Sequence, residues 1–267
     1  MYQLEQVGEK EWRFVEPACV QSLMPELDEA LEIWEVGQER TAERMFRGII
    51  DRCPDHMDAL HHLALIMENH GRNLEAYLME KEAADTGLEA LCGKFDFRSD
   101  KLEWGWLENR PFLRAYHGLA LAHHKRGQIG EALRIYEDIL SVNPNDNQGI
   151  RCLAVACYFK LEQPNSVIAV CEKYESDSLP EILYGRSLAE FQLGAKESAE
   201  ANLKTAISEL PLVAAELLKR RHVKPKEVFP GSITHGGADQ AYEYWERFGT
   251  YWEKTPEAMK MLSELVA

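Results

Sequence analysis

Residues 111–146 read PFLRAYHGLALAHHKRGQIGEALRIYEDILSVNPND, and two helices are written into that stretch. Leu113, Tyr116, Leu119, Ala120 and His123 recur at helical spacing, and so, after Gly127, do Ala132, Ile135, Tyr136, Ile139 and Leu140. Each set makes one face of a helix. Gly127 stands between them, where a tight turn joining antiparallel helices needs relaxed backbone angles. Ala132 is small enough to let the second helix approach the first. The run Asn143, Pro144, Asn145, Asp146 then stops that helix and turns the chain.

These landmarks recur along the chain. Gly37, Gly71, Gly127 and Gly194 are each followed five residues on by an alanine, namely Ala42, Ala76, Ala132 and Ala199. Three of those alanines are followed twelve residues on by Pro54, Pro144 and Pro211. The first step between glycines is 34 residues, the second is the same length with a 22-residue insertion, and the third is two steps of 34 and 33. Two further pairs, Gly149/Ala154 and Gly236/Ala241, fall out of this register.

A ladder of this kind resembles the tetratricopeptide repeat, a helix-turn-helix unit of about 34 residues. The resemblance covers residues 23–211 as five copies: Leu23–His56, Met57–Ala90, Leu113–Asp146, about Asn147–Leu179 and about Pro180–Val213. The second copy has Glu89 where the closing proline belongs. The fourth has Leu161 in the turn-glycine slot and Ser166 in the alanine slot. The resemblance implies an all-α solenoid, a right-handed superhelix of stacked helix pairs, whose first helices line a concave groove that holds a peptide or partner protein.

Three segments lie outside the repeats. Residues 1–22 read as an N-terminal arm, extended or a hairpin around Gly8, Glu9 and Lys10. Residues 91–112 are an aromatic insert with Phe95, Phe97, Trp104 and Trp106, and read either as packed on the scaffold or as a contact loop. Residues 212–267 read as a C-terminal cap. It starts with a helix over Val213–Arg221, whose last cations Lys219, Arg220 and Arg221 suit the helix dipole, and continues through a Pro/Gly linker at 224–237. A helical pair over 238–267 follows, with Ala241, Trp245, Phe248 and Trp252 on one face. Thr255 and Pro256 open the last helix, which runs through Met259 and Leu262.

The formal net charge of −15 argues against general nucleic-acid binding, because phosphate backbones are held by Lys and Arg. No stretch approaches the ~20 apolar residues of a membrane span, and Met1–Gln6 lacks the design of a secretory signal. Six cysteines (Cys19, Cys53, Cys92, Cys152, Cys157, Cys171) form no C-x-x-C pair and read as reduced, mostly buried thiols of a cytoplasmic protein.

No phosphate-binding loop, zinc-protease helix or nucleophile elbow is present. Histidines 61/62 and 123/124 are helix neighbours whose rings point about 100° apart, while His117 and His124 stand ~10 Å apart along the axis. Cys53 and His56 are a weak two-ligand pair. Neither catalysis, nor a metal, nor a cofactor is therefore expected.

Carried onto this chain, the family's groove slots fall on His61, Leu65, Glu68 and Asn69 in the second copy. They fall on Arg114, His117, Leu121, His124 and Lys125 in the third, on Arg151, Val155, Tyr158 and Phe159 in the fourth, and on Tyr184, Leu188 and Phe191 in the fifth. The expected site is Arg114, His117, His124, Lys125, Arg151, Tyr158, Tyr184 and Phe191, a basic and aromatic strip suited to an acidic or carboxylate-bearing segment. A competing role for Arg114 and Arg151 is pairing with neighbouring carboxylates. The carboxylate clamp of chaperone-binding repeats is absent: its slots hold His117, Leu121, Cys152, Glu181 and Gly185. The functional expectation is a protein-interaction scaffold. The alternative is a structural subunit docking through the insert or the convex face.

Overall fold

The structure is a computed structural model that describes residues 1–226 and 231–266. It divides into two compact units, residues 1–150 and 151–267. The fold is all-α and of the tetratricopeptide type.

Unit 1 begins with a β-hairpin, β1 (Gln3–Gly8) and β2 (Glu11–Val15), in which Leu4 lies opposite Phe14. Lys10 takes a positive φ in its turn. Three helix pairs follow: α1 (Ala18–Glu35) with α2 (Glu39–Arg52), α3 (Met57–Asn69) with α4 (Asn73–Leu91), and α5 (Arg110–Lys125) with α6 (Ile129–Val142). The first pair starts earlier than its repeat: α1 opens at Ala18, inside the stretch read as the arm, because Pro17 supplies an extended residue just ahead of it.

The glycine ladder does what its spacing requires. Gly37, Gly71, Gly127 and Gly194 all take positive φ, where a side chain would be strained. Ala42, Ala132 and Ala199 are fully buried at the helix crossings.

The 91–112 insert is held by backbone and side-chain hydrogen bonds. Lys101 lies parallel to Glu11, and Trp12 N–H donates to Lys101 O at 2.9 Å. Asn109, fully buried, accepts from Phe14 N–H and donates to the carbonyls of Trp12 and Glu103. Trp106 donates its indole N–H to Glu11 at 2.8 Å. On the other side Leu102 N–H donates to Val142 O, and the Ser141 hydroxyl donates to Phe97 O. Phe14 packs on Phe112, and Phe112 stacks on Tyr116.

Cys19 and Cys53 are disulfide-bonded, with Cα atoms 5.9 Å apart. This corrects the expectation of uniformly reduced thiols. Antiparallel pairing sets the start of α1 beside the end of α2, a proximity invisible to a search for C-x-x-C spacing. Among the described residues Cys92, Cys152, Cys157 and Cys171 form no disulfide, and only Cys92 of these four is exposed.

Unit 2 holds α7 (Ile150–Lys160, its first residue at the boundary), α8 (Pro164–Lys173), α9 (Pro180–Gln192), α10 (Lys196–Glu209), α11 (Pro211–Leu217), α12 (Ala238–Glu253) and α13 (Pro256–Val266). In the fourth repeat the left-handed turn residue is Glu162, not Leu161, and the buried residue five positions on is Val167, not Ser166. The backbone bonds fix this register. Glu162 N–H donates to Phe159 O and Gln163 N–H to Tyr158 O, as Gly127 and Gln128 do to His124 and His123.

The helix expected to run to Arg221 stops at Leu217. Buried Glu216 takes both Lys219 and His222, which folds the chain back over the last turn. The linker expected at 224–237 falls partly on 227–230, outside the described residues. Along α12 the buried face is Ala241, Tyr244, Phe248 and Trp252, while Trp245 lies at its flank, stacked on His222 at 3.6 Å. Ala258 and Leu262 bury α13. Thr255 donates its hydroxyl to Tyr251 O on the preceding helix.

Candidate functional site

In unit 1, helices α3, α4 and α5 enclose a cavity of about 220 Å³. From α3 come His61, Ala64, Leu65 and Glu68; from α4 Ala76, Tyr77 and Glu80; from α5 His117, Leu121 and Lys125. Arg114, Arg126 and Gln148 also line it.

Its floor is a buried acid-imidazole pair. Glu80, 4% exposed, sits with its two carboxyl oxygens 2.9 and 3.0 Å from His61 Nδ1. Burial raises the Glu80 carboxyl well above the usual carboxylate range and pushes His61 down to about 4. Both shifts favour the uncharged forms, with the Glu80 carboxyl donating to His61 Nδ1, and the pair carries no net charge wherever the shared proton sits. Glu80 fits only because residue 118 on the facing helix is glycine: a Cβ there would lie 2.3 Å from its carboxyl.

His117 is also held neutral, pushed down to about 4 by burial with His61 nearby. Gln148 Nε2 donates to its Nδ1 at 3.4 Å, which puts the ring proton on Nε2. That Nε2 is buried and has no hydrogen-bond partner among the described residues, as is the case for Gln148 Oε1.

The cations of the cavity differ in what they meet. Arg114 grips Asp58 through Nε and Nη2 at 2.7–3.1 Å. Lys125 pairs with Glu68. Arg126 lies over the Tyr77 ring, 4.7 Å from its centroid.

Arg114, His117 and Lys125, expected from the sequence, are thus brought together. His124 is not among the lining residues and packs 6.4 Å from the Tyr136 ring. The other four belong to unit 2. Arg151 pairs with Asp177 and lies over the Tyr174 ring. Tyr158 is 8% exposed. Tyr184 is fully buried, with its hydroxyl donating to Leu210 O at 2.8 Å. Phe191, 5% exposed, lines a unit 2 cavity with Phe159, Tyr251 and Pro256. The sequence reading missed Glu80, Tyr77, Gly118, Arg126 and Gln148. Gly118 carried a signal, since a glycine inside a helix with no turn to make marks a close approach.

Among the described residues no group of three or more His, Cys, Asp or Glu side chains is placed to hold a metal ion. No described helix is long and apolar enough to cross a membrane.

Antiparallel helix pairs joined at left-handed glycines define a tetratricopeptide-type helical repeat protein. Solved structures agree. A tetratricopeptide repeat protein from Parabacteroides merdae ATCC 43184 aligns at TM-score 0.55 and 17% identity, over 92% of this chain and 79% of that one. YrrB, described as a TPR protein with an unusual peptide-binding site, aligns at TM-score 0.53 and 14% identity, over 73% and 93%. MamA aligns at 0.53 and 15%, over 77% and 99%. The chain belongs to the family described as "Transcriptional repressor TCF25", which matches residues 34–266. Among curated proteins no sequence match was found.

Proposed function

We propose that the chain is a non-enzymatic scaffold that captures an acidic segment of a partner protein on the α3–α4–α5 face of unit 1, in the service of transcriptional repression. The observation that carries this reading is the cavity itself, where apolar walls meet three cations, two engaged by carboxylates and Arg126 by none among the described residues, in a chain of net charge −15. An acidic surface repels acidic partners everywhere else, so a locally cationic recess selects where they dock. The family description favours a nuclear setting over the cytoplasmic one expected from the thiols. The alternative docking surface, the aromatic insert, has Trp106 and Asn109 engaged in holding the hairpin.

The test is to tether the full chain to a reporter promoter and compare it with Leu121→Arg, which fills the recess from a half-buried position. The wild-type chain lowers reporter output and the variant, folded by circular dichroism, does not. Equal output with and without the tethered chain would remove the repressor reading.

A further inference from the structure

The charge balance of the α3–α4–α5 cavity is specific enough to name the group it holds. Arg114, Lys125, Arg126, Glu68 and Glu80 line it. Arg114 is engaged by Asp58, and Lys125 by Glu68. Glu80 and His61 share one proton and add nothing. Arg126 remains: among the described residues no carboxylate pairs with it, so the recess has a surplus of one positive charge.

That charge is also oriented. The Arg126 guanidinium lies over Tyr77, and Tyr77 meets the His123 ring edge-on at 5.6 Å. His123 is fixed in turn by Gln128, 2.8 Å from its Nδ1. A guanidinium stacked on an aromatic face keeps its edge N–H groups available as a planar fork, the geometry that matches a carboxylate. Beside it Ala64, Leu65 and Leu121 give apolar wall, and His117 and Gln148 each retain a polar atom without a partner. The volume, about 220 Å³, admits a side chain but not a helix, which is ~10 Å across.

We propose that this cavity seats a single carboxylate of the partner segment, an Asp or Glu side chain or a chain-terminal carboxylate, with Arg126 as its charge partner and Leu65 and Leu121 against its methylenes. This rests on the reading that unit 1 captures a peptide. One uncompensated cation matches a monoanion. A phosphate, with nearly two negative charges, would leave one of them unbalanced inside an acidic molecule.

The experiment presents the immobilised full chain with two synthetic random heptapeptide libraries, one with free and one with amidated C-termini, and sequences the retained peptides. Enrichment of Asp or Glu at one position in the amidated library identifies a side chain. Enrichment only among free C-termini identifies a terminal carboxylate. Replacing that group by its amide weakens binding about tenfold, and Arg126→Ala does the same while leaving the melting temperature unchanged, because Arg126 is exposed. Arg126→Lys restores part of the affinity. Retained peptides with no required carboxylate, or ones indifferent to Arg126→Ala, would overturn the proposal and leave peptide capture standing. Preferential retention of phosphopeptides spiked into the libraries would overturn it as well. Retention of nothing from either library would remove peptide capture and this proposal with it.

Discussion

The carboxyl group of Glu80 occupies the space that a side chain at position 118 would need: a Cβ on Gly118 would fall 2.3 Å from Glu80 Cδ and Oε1. Alanine in place of a helix-interior glycine ordinarily stabilises by about 0.5–1 kcal/mol. Here the sign reverses. Gly118→Ala is expected to cost about 1–3 kcal/mol, because a buried, hydrogen-bonded carboxyl has to be displaced. Thermal midpoints followed by circular dichroism measure it. In a Glu80→Ala background the same substitution becomes neutral or stabilising. A higher midpoint for Gly118→Ala alone would mean that α4 and α5 are not in this contact.

Acid should unfold unit 1 well above the usual carboxylate range. His61, His62 and His117 are pushed from 6.5 to about 4 by burial, with Asp58 and Arg114 as charged neighbours of the first two and Asp146 of the third. Because their folded values are lowered, the stability they allow is present above pH 6.5 and is lost as pH falls toward 4. Glu80 acts oppositely: its raised value favours the fold at low pH and costs stability as pH rises above 4.5. Burial lowers His56 as well and raises Glu16 and Asp138 as it does Glu80, so four imidazoles against three carboxyls leave a net loss on acidification of order 1 kcal/mol per pH unit between 6.5 and 4.5. Melting temperatures across that range report it, and His117→Gln should flatten the slope. A pH-independent midpoint from 7 to 4.5 would contradict the burial of these rings.

How much of this was written in the sequence depends on how local each cause is. Gly37, Gly71, Gly127 and Gly194 are legible because each turn imposes a left-handed angle on one residue. The fourth repeat defeated the same rule by one position. Its left-handed residue is Glu162, which no glycine announces, although Pro164 at the start of α8 marks where the turn must end. Arg114 and Lys125 were legible as lining residues because first-helix slots recur. Glu80 was not, since it comes from a second helix and reaches the recess only through the gap at Gly118. Tyr184 and Phe191 show the limit of slot reasoning. They fall on the expected helix, but the C-terminal helices cover that helix, and Tyr184 packs on Tyr244 and Trp252.

Thiol labelling should sort the cysteines into three classes. Cys92 is exposed and reacts with a maleimide in the native protein. Cys157 and Cys171 are pushed up by burial to about 11 and 12, and Cys152 is raised further, so these react only after denaturation. Cys19 and Cys53 react only after reduction. Mass spectrometry of intact chains at the three stages counts one label, then three more, then two more. Labelling of Cys19 without reductant would show that the pair is open in solution.

The C-terminal helices are expected to hold unit 2 through Phe248. That ring is fully buried, stacked on Tyr244 at 4.8 Å and edge-on to Phe159 at 5.7 Å. Phe248→Ala removes a large side chain from a packed core and should cost about 3–5 kcal/mol. Hydrogen exchange should quicken in α9, α11 and α12. Unchanged protection there would show that α12 is not part of the core.

Arg114 and Arg126 line one cavity and should answer mutation in opposite ways. Asp58 is 8% exposed, and Arg114 makes three hydrogen bonds to its carboxylate. Truncating Arg114 to alanine strands that carboxylate beside His62, whose ring already bonds Asp58 O at 2.7 Å. Breaking a fully buried pair costs about 3–5 kcal/mol. The Arg114 side chain keeps about 30% of its surface, so solvent screening reduces the expected cost to about 2 kcal/mol. The double variant Asp58→Ala with Arg114→Ala should recover part of it, because no lone charge is left behind. Peptide capture per folded molecule should survive Arg114→Ala, since this guanidinium is occupied by Asp58 in the free protein. Arg126→Ala should show the converse, an unchanged midpoint with capture lost. If Arg114→Ala instead kept its melting temperature and lost the peptide, Asp58 would be a place-holder for the ligand's carboxylate, and the binding arginine would be Arg114.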